Sequence, residues 1–173
     1  VADGDSNIVE TREFNNVGSF RINYPLTTTA CAGSGSGHLY ADLAGTTYQW
    51  QVDNGTGFTN LADNANYSGS GLSILNYQNI PSSSYGYRYR CIVDGNYGNP
   101  VTLTFSTTWT GAVDSVWNNP GNWSCGTVPD AYTDIVINTG TVVVNSNGVC
   151  RSIRINPTAI FTISPGVTFT VIH

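Results

Sequence analysis

The chain has 173 residues, of which 10% are charged, and a net charge of −5 from scattered acids against six arginines and no lysine. So few cations, none of them clustered, exclude a nucleic-acid partner, whose binding rests on neutralising phosphates. No apolar run approaches the ~18 residues that a transmembrane helix needs. Ser, Thr, Asn and Gly supply most of the polar surface, as is common in exported β proteins. Methionine is absent, so Val1 is not a translational start. The expected molecule is an extracellular or cell-surface product, exported with its signal peptide cleaved, or a fragment of a longer chain.

In chain order, residues 1–16 read as a polar, flexible N-terminal arm. Alternation of apolar and polar residues begins at Val17 and places Phe20, Ile22, Tyr24 and Leu26 on one face of a strand, with Pro25 favouring an edge. HLYADLA aligns Leu39, Ala41 and Leu43; TYQWQV aligns Tyr48, Trp50 and Val52. DNGTGF is turn chemistry, and Leu72 with Ile74 marks a further short strand. YGYRYRCIV aligns Tyr87, Tyr89, Cys91 and Val93, and VTLTF aligns Val101, Leu103 and Phe105. Short strands at turn-punctuated spacing predict an all-β sandwich over residues 17–106. A Trp-rich segment and a second β domain follow over residues 107–173. There Ile153, Phe161 and Phe169 recur at eight-residue intervals, as do Ile155, Ile163 and Val171. Eight residues suit one side and corner of a three-sided β-solenoid with a full turn of about 24, and an antiparallel meander is the alternative.

Four cysteines, Cys31, Cys91, Cys125 and Cys150, allow three disulfide pairings. None lies in a C-x-x-C, and the two histidines, His38 and His173, are too few for a zinc site, so two disulfides in an oxidising compartment are expected. Cys31 with Cys91 and Cys125 with Cys150 is the simplest pairing, because each bridge then stays inside one segment. Each contributes about 3–4 kcal/mol on the loop-entropy estimate.

Cys31, Trp50 within TYQWQ, and Tyr89 two residues before Cys91 resemble the signature of an immunoglobulin-like domain. TYQWQVDNGTGF followed by YGYRYRC is similar to the immunoglobulin-like modules of large secreted surface and adhesion proteins of environmental Gram-negative bacteria. The resemblance implies a Trp packed on an inter-sheet disulfide and a Tyr corner hydrogen bond to upstream backbone. Cys31 departs from it, lying nineteen residues before Trp50 and ahead of the HLYADLA strand. Trp109, Gly111, Trp117, Asn122, Trp123, Val128 and Pro129 resemble a W-x-G…W…NW…VP motif that opens β-solenoid-like stretches in the same class of proteins.

Catalytic constellations are hard to assemble, and the chain reads as non-enzymatic. GSGSG at 33–37 lacks the central serine of a nucleophile elbow. Asp42, Asp53, Asp63 and Asp94 are the carboxylates to weigh for a glycosidase pair, but Asp53, Asp63 and Asp94 adjoin Asn or Gly and read as turn residues. Asp3, Asp5 and Asn7 begin a calcium-loop pattern that Ile8 and Phe14 break. No cofactor or metal is implied, with structural calcium in loops left open. Three N-x-S/T sequons stand at Asn54, Asn66 and Asn122.

Two functions of different class compete. One is a structural or adhesive surface protein that forms a homo-oligomer or polymer, filamentous through strand addition, with Phe14, Phe20, Ile22, Tyr24, Phe169 and Val171 as assembly residues. The other is a glycan-binding module in which Trp109, Trp117, Trp123, Tyr97 and Tyr132 stack on sugar rings beside the amides of Asn118, Asn119 and Asn122; against it, the same tryptophans read as a plug of the solenoid end and the inter-domain seam, which Cys125 beside Trp123 favours. Its partners are glycans or other surface proteins.

Overall fold

The computed structural model describes residues 26–32 and 36–173. The expected strand residues Phe20, Ile22 and Tyr24, together with Phe14 and the Asp3–Asp5–Asn7 run, lie outside them. The described chain is built almost wholly of strands, with single 3-10 turns at Ser82–Ser84 and Pro120–Asn122. No helix among these residues is long and apolar enough to cross a membrane.

Nine strands build the first layer pair: β1 (Leu26–Ala30), β2 (Ser36–Tyr40), β3 (Tyr48–Asp53), β4 (Phe58–Asn60), β5 (Tyr67–Ser68), β6 (Ile74–Gln78), β7 (Arg88–Val93), β8 (Asn96–Tyr97) and β9 (Val101–Thr108). β1, β9, β7, β3 and β4 lie side by side in one sheet, with β8 as a hairpin on β7, and β2, β6 and β5 form the other. This is an immunoglobulin-like β-sandwich. Its core holds Leu39, Leu75 and Tyr77 from one sheet and Trp50, Tyr89, Cys91, Leu103 and Phe105 from the other. Trp50 is 1% exposed, and its indole N–H donates to the Leu72 carbonyl at 2.9 Å. That bond helps explain a register error in the sequence reading. Leu72 belongs to a turn closed by its own N–H on the Gly69 carbonyl, so alternation restarts one residue later. Leu75 and Tyr77 therefore point inward and Ile74 outward, the reverse of the expected face.

Six further strands form the second unit: β10 (Asp134–Ile137), β11 (Thr141–Val144), β12 (Gly148–Cys150), β13 (Ser152–Ile155), β14 (Ile160–Ile163) and β15 (Phe169–Val171). β13 lies on β10, β14 on β11 and β15 on β12, all parallel, which makes a β-solenoid-like coil and not a meander. Asp134 aligns with Ser152, Thr141 with Ile160 and Gly148 with Phe169, so one turn takes 18 to 21 residues, fewer than the 24 expected. Tight corners account for the difference: Ala159 N–H donates to the Asn156 carbonyl across Pro157, and Val167 N–H to that of Ser164 across Pro165. Ile153, Phe161 and Phe169, eight apart, are the inward residues of three successive faces of one turn, packed on the buried Ile135, Ile137, Val142, Val144 and Cys150 of the turn before.

β9 joins the two units. Leu103 exchanges backbone hydrogen bonds with Gly86 and Tyr87 beside β7, and six residues on, Trp109 N–H donates to the Val136 carbonyl on β10. Backbone groups of a strand alternate between its two edges, so β7 and then β10 share the edge of odd-numbered residues. On the other edge β1 runs parallel from Val101 to Phe105, and Ser124 N–H then donates to the Thr108 carbonyl. Cys31, following β1, and Cys125, following Ser124, thus meet on one edge of β9.

Here the expected disulfides are overturned. Cys31 is bonded to Cys125 across the sandwich–coil junction, with Cα atoms 5.4 Å apart, while Cys91 and Cys150 are buried free thiols. Pairing each cysteine within its own segment assumed that the boundary near residue 107 separates two covalent units, but β9 runs through it. Cys91 faces Trp50 across the β3–β7 ladder as a thiol, so the Trp-on-disulfide contact is absent. The corner bond differs too. Tyr89 Oη lies 2.7 Å from Tyr67 Oη of the opposite sheet and does not reach upstream backbone. Peptide mapping without reduction should therefore recover a Cys31–Cys125 crosslink, with Cys91 and Cys150 alkylated only after unfolding. Cys31→Ala, opening a loop with a sequence separation of 94, should lower stability by about 4–5 kcal/mol in urea titrations.

Candidate functional site

Of the two readings of Trp109, Trp117 and Trp123, sugar-stacking platform and plug, the structure has the plug of the coil. Trp109, Trp117 and Trp123 are 5%, 1% and 3% exposed and Asn122 is fully buried, which removes them as surface ligands. Trp123 stands edge-on to both Trp109 and Trp117, with ring centroids 5.1 and 4.8 Å apart, and its indole N–H donates to the Trp117 carbonyl at 2.9 Å. Trp117 continues into the coil and meets Phe169 edge-on at 4.8 Å. A Cβ on Gly148 would come within 3.0 Å of the Phe169 ring and 3.2 Å of the Trp117 indole nitrogen, so the absence of a side chain there lets both rings close over the backbone.

Asn122 ties the loop beneath these rings. Its Oδ1 accepts from the N–H groups of Val113 and Asp114 at 2.9 and 3.0 Å, and its Nδ2 donates to Asp114 Oδ1 and the Val116 carbonyl. That sequon is therefore closed to a glycosyl donor in the folded protein. Asn119 caps the following 3-10 turn by accepting from Gly121 N–H, and Asn118 donates to Ser146 Oγ. Tyr97 is exposed on the sandwich, where Arg90 lies between its ring and that of Phe58 at 4.1 and 4.0 Å. Tyr132 is exposed in the loop before β10. The structure does not gather these aromatics and amides into one surface.

The carboxylates weighed for catalysis hold loops. Asp53 accepts from Arg88 and from the N–H groups of Gly55 and Gly57, which hold its pKa down at about 2. Asp94 is held at about 2 by backbone and hydroxyl donors of Thr47 and Thr46. Asp63 is lowered by the hydroxyl and N–H of Ser70, and Asp42 accepts from the backbone and side chain of Asn99. Burial pushes the Cys150 thiol up to about 11 and raises Cys91, so neither offers a thiolate near neutral pH. Among the described residues no three His, Cys, Asp or Glu side chains converge as a metal set would.

What remains open is backbone. β10 pairs with β9 on one edge and β13 on the other, so the sandwich strand serves as the layer beneath the first turn of the coil. A second face repeats this, where Val116 bridges Val143 in parallel. The last turn has no such cover. Among the described residues β13, β14 and β15 are each paired on one edge only, and Ile155, Ile160, Ile163 and Val171 there are 40%, 59%, 44% and 41% exposed. Phe169, by contrast, is half-buried against Trp117. At the opposite pole, β1 is parallel to β9 and Leu26 aligns with Val101, so β1 begins at the end of the sandwich remote from the coil.

Residues 108–173 match a family described as "Domain of unknown function (DUF8693)". No curated protein matches the chain. Among solved structures, the extracellular domain of the voltage-gated sodium channel beta4 subunit, described as forming parallel homodimers that explain its role in cell-cell adhesion, is 17% identical with a TM-score of 0.35, covering 50% of this chain and 91% of its own.

Two outcomes are expected from this geometry. Asn122→Asp keeps both acceptors for Val113 and Asp114 but loses both donors and sets a second carboxylate against Asp114. It should destabilise the protein by roughly 3 kcal/mol or more in urea titration, with Asn122→Ala similar. Because Asp53 and Asp94 ionise at about 2 when folded and near 4 when unfolded, their contribution is complete above pH ~4 and is lost as pH falls through about 2. The urea midpoint should drop over that window, and Asp94→Asn should flatten the drop.

Proposed function

We propose that this chain is a non-enzymatic, extracellular structural or adhesive subunit that joins head to tail by strand addition. The observation that carries the reading is the polarity of the molecule. The segment containing Phe14, Phe20, Ile22 and Tyr24 joins β1 at one pole, and three strand edges without partners among the described residues lie at the other. A strand from one copy laid on the last turn of the next is a heterologous contact, which propagates into rings or filaments. Coil cannot stack on coil from both directions, because β9 and the tryptophan plug already occupy the near end.

The energetics favour such a contact when the donor strand is apolar on one face. Period-two alternation of Phe20, Ile22 and Tyr24 in the sequence would set them on one face of a donor strand, each contributing ~1.5–3 kcal/mol when well covered. Backbone hydrogen bonds to the open edge add to this, against an association cost of about 4–15 kcal/mol. With −5 charges per chain, assembly should tighten as salt rises. The Cys31–Cys125 bond and the shared strand β9 keep the two poles in fixed orientation, as a structural subunit requires.

Removing residues 1–24 leaves β1 intact and tests the donor. Full-length protein at micromolar concentration should give filaments or concentration-dependent oligomers by negative stain and sedimentation, and the truncated form should remain monomeric. Ile163→Arg, on the open edge of β14, should also stay monomeric yet pair with the truncated form when the two are mixed. A full-length protein that stays monodisperse at high concentration, or a truncated one that assembles equally well, overturns the reading.

A further inference from the structure

The outer face of the three-stranded sheet carries a groove of about 270 Å³ lined by Ser36 and His38 of β2, Asn76 and Gln78 of β6, Ser68 of β5, and Asn66. Alternation puts these side chains outside because Leu39, Leu75 and Tyr77 take the inner positions. The register sets them in two rows: His38 opposite Asn76 opposite Ser68, and Ser36 opposite Gln78. We infer that this groove is a binding site for a neutral pyranose, the sugar unit of an uncharged glycan.

Three features argue for that ligand. No Asp, Glu, Lys or Arg lines the groove, so it offers no charged partner to a phosphate or a carboxylate, and its amides and hydroxyls would be left unmatched by an apolar ligand. Part of the lining is already fixed. Asn66 Nδ2 donates to the carbonyls of Gln78 and Asn79 at 3.0 Å each, and Gln78 Nε2 to that of Ala65 at 2.9 Å. Those bonds turn the two side-chain carbonyls into held acceptors. Asn76, Ser36, Ser68 and His38 keep donors and acceptors with no partner among the described residues, which is the mixed capacity that sugar hydroxyls match. Finally, Tyr40, outside the groove lining, lies two residues along from His38 on the same face, 59% exposed and edge-on to the imidazole at 5.3 Å, which places an aromatic ring beside a sugar seated on His38.

The groove lies on the sheet away from β9 and the coil, so this activity is independent of assembly. The test is titration of the nitrogen-15-labelled full chain with methyl glycosides of glucose, galactose, mannose and N-acetylglucosamine to ~50 mM, concentrations suited to millimolar affinity. At least one should shift the side-chain amides of Asn76 and Gln78, and Asn76→Leu should weaken it roughly tenfold or more. His38→Ala, which alters a different strand, should also weaken binding with the backbone spectrum unchanged. Sialic acid, an acidic sugar, should bind less tightly than the best neutral glycoside. No shift with any neutral glycoside, or shifts that survive both substitutions, or a preference for the acidic sugar, overturns the assignment.

Discussion

One strand, β9, is hydrogen-bonded into both halves of the molecule, and most of the architecture follows from that sharing. Its first half lies between β1 and β7 in the sandwich sheet; its second half is the layer on which β10 is laid. Parallel strands need a crossover connection and a covered face, and an isolated coil of two short turns would have neither a starting edge nor a plugged end. β9 provides the edge, and the loop that follows it folds back with Trp109, Trp117 and Trp123 to fill the end. The Cys31–Cys125 bond lies on the opposite edge of the same strand and fixes it to β1 and the plug loop.

Where the halves touch beside β9, the contact is polar and specific. Ser82 and Tyr85, from the turn before β7, hydrogen-bond to Asp130 and Asp134, and Arg151 lies over the Tyr85 ring at 4.1 Å while pairing with Asp134 at 2.8 Å. The same economy of charge runs through the chain. With few ionic groups, the acids act as hydrogen-bond acceptors that pin loops: Asp53 in the β3–β4 turn, Asp94 at the end of β7, Asp114 beneath the plug. Such sites lower the pKa through donated N–H and O–H groups, and the ion pairs among the described residues are those of Arg88 and Arg151.

The resulting body is polar in the geometric sense. The strand that seeds the coil also dictates its direction of growth, so the edges left without a partner among the described residues lie on the far side from the sandwich. The parallel pairing of β1 with β9 sets the start of β1, Leu26, at the opposite pole. A head-to-tail subunit and a sugar-binding face are compatible in such a body, because they use different sheets.

Much of this was legible in the sequence. Period-two alternation placed Trp50, Tyr89, Cys91, Leu103 and Phe105 in a sandwich core, and the eight-residue recurrence of Ile153, Phe161 and Phe169 marked the faces of a coil, because both signals are local. What was lost depended on partners distant in the chain. Leu72 was misassigned to a strand face because a turn bond to Gly69 and the Trp50 indole, twenty-two residues away, decide its role. The tryptophans read both as a platform and as a plug, because aromatic side chains beside amides look alike in sequence whether they face solvent or each other; the packing of Trp117 against Phe161 and Phe169 separates the two. The expected pairing of Cys31 with Cys91 and Cys125 with Cys150 failed for the same reason. Composition fixes that disulfides are expected, but which sulfurs meet depends on which edge of β9 each segment occupies, and only the tertiary fold decides that.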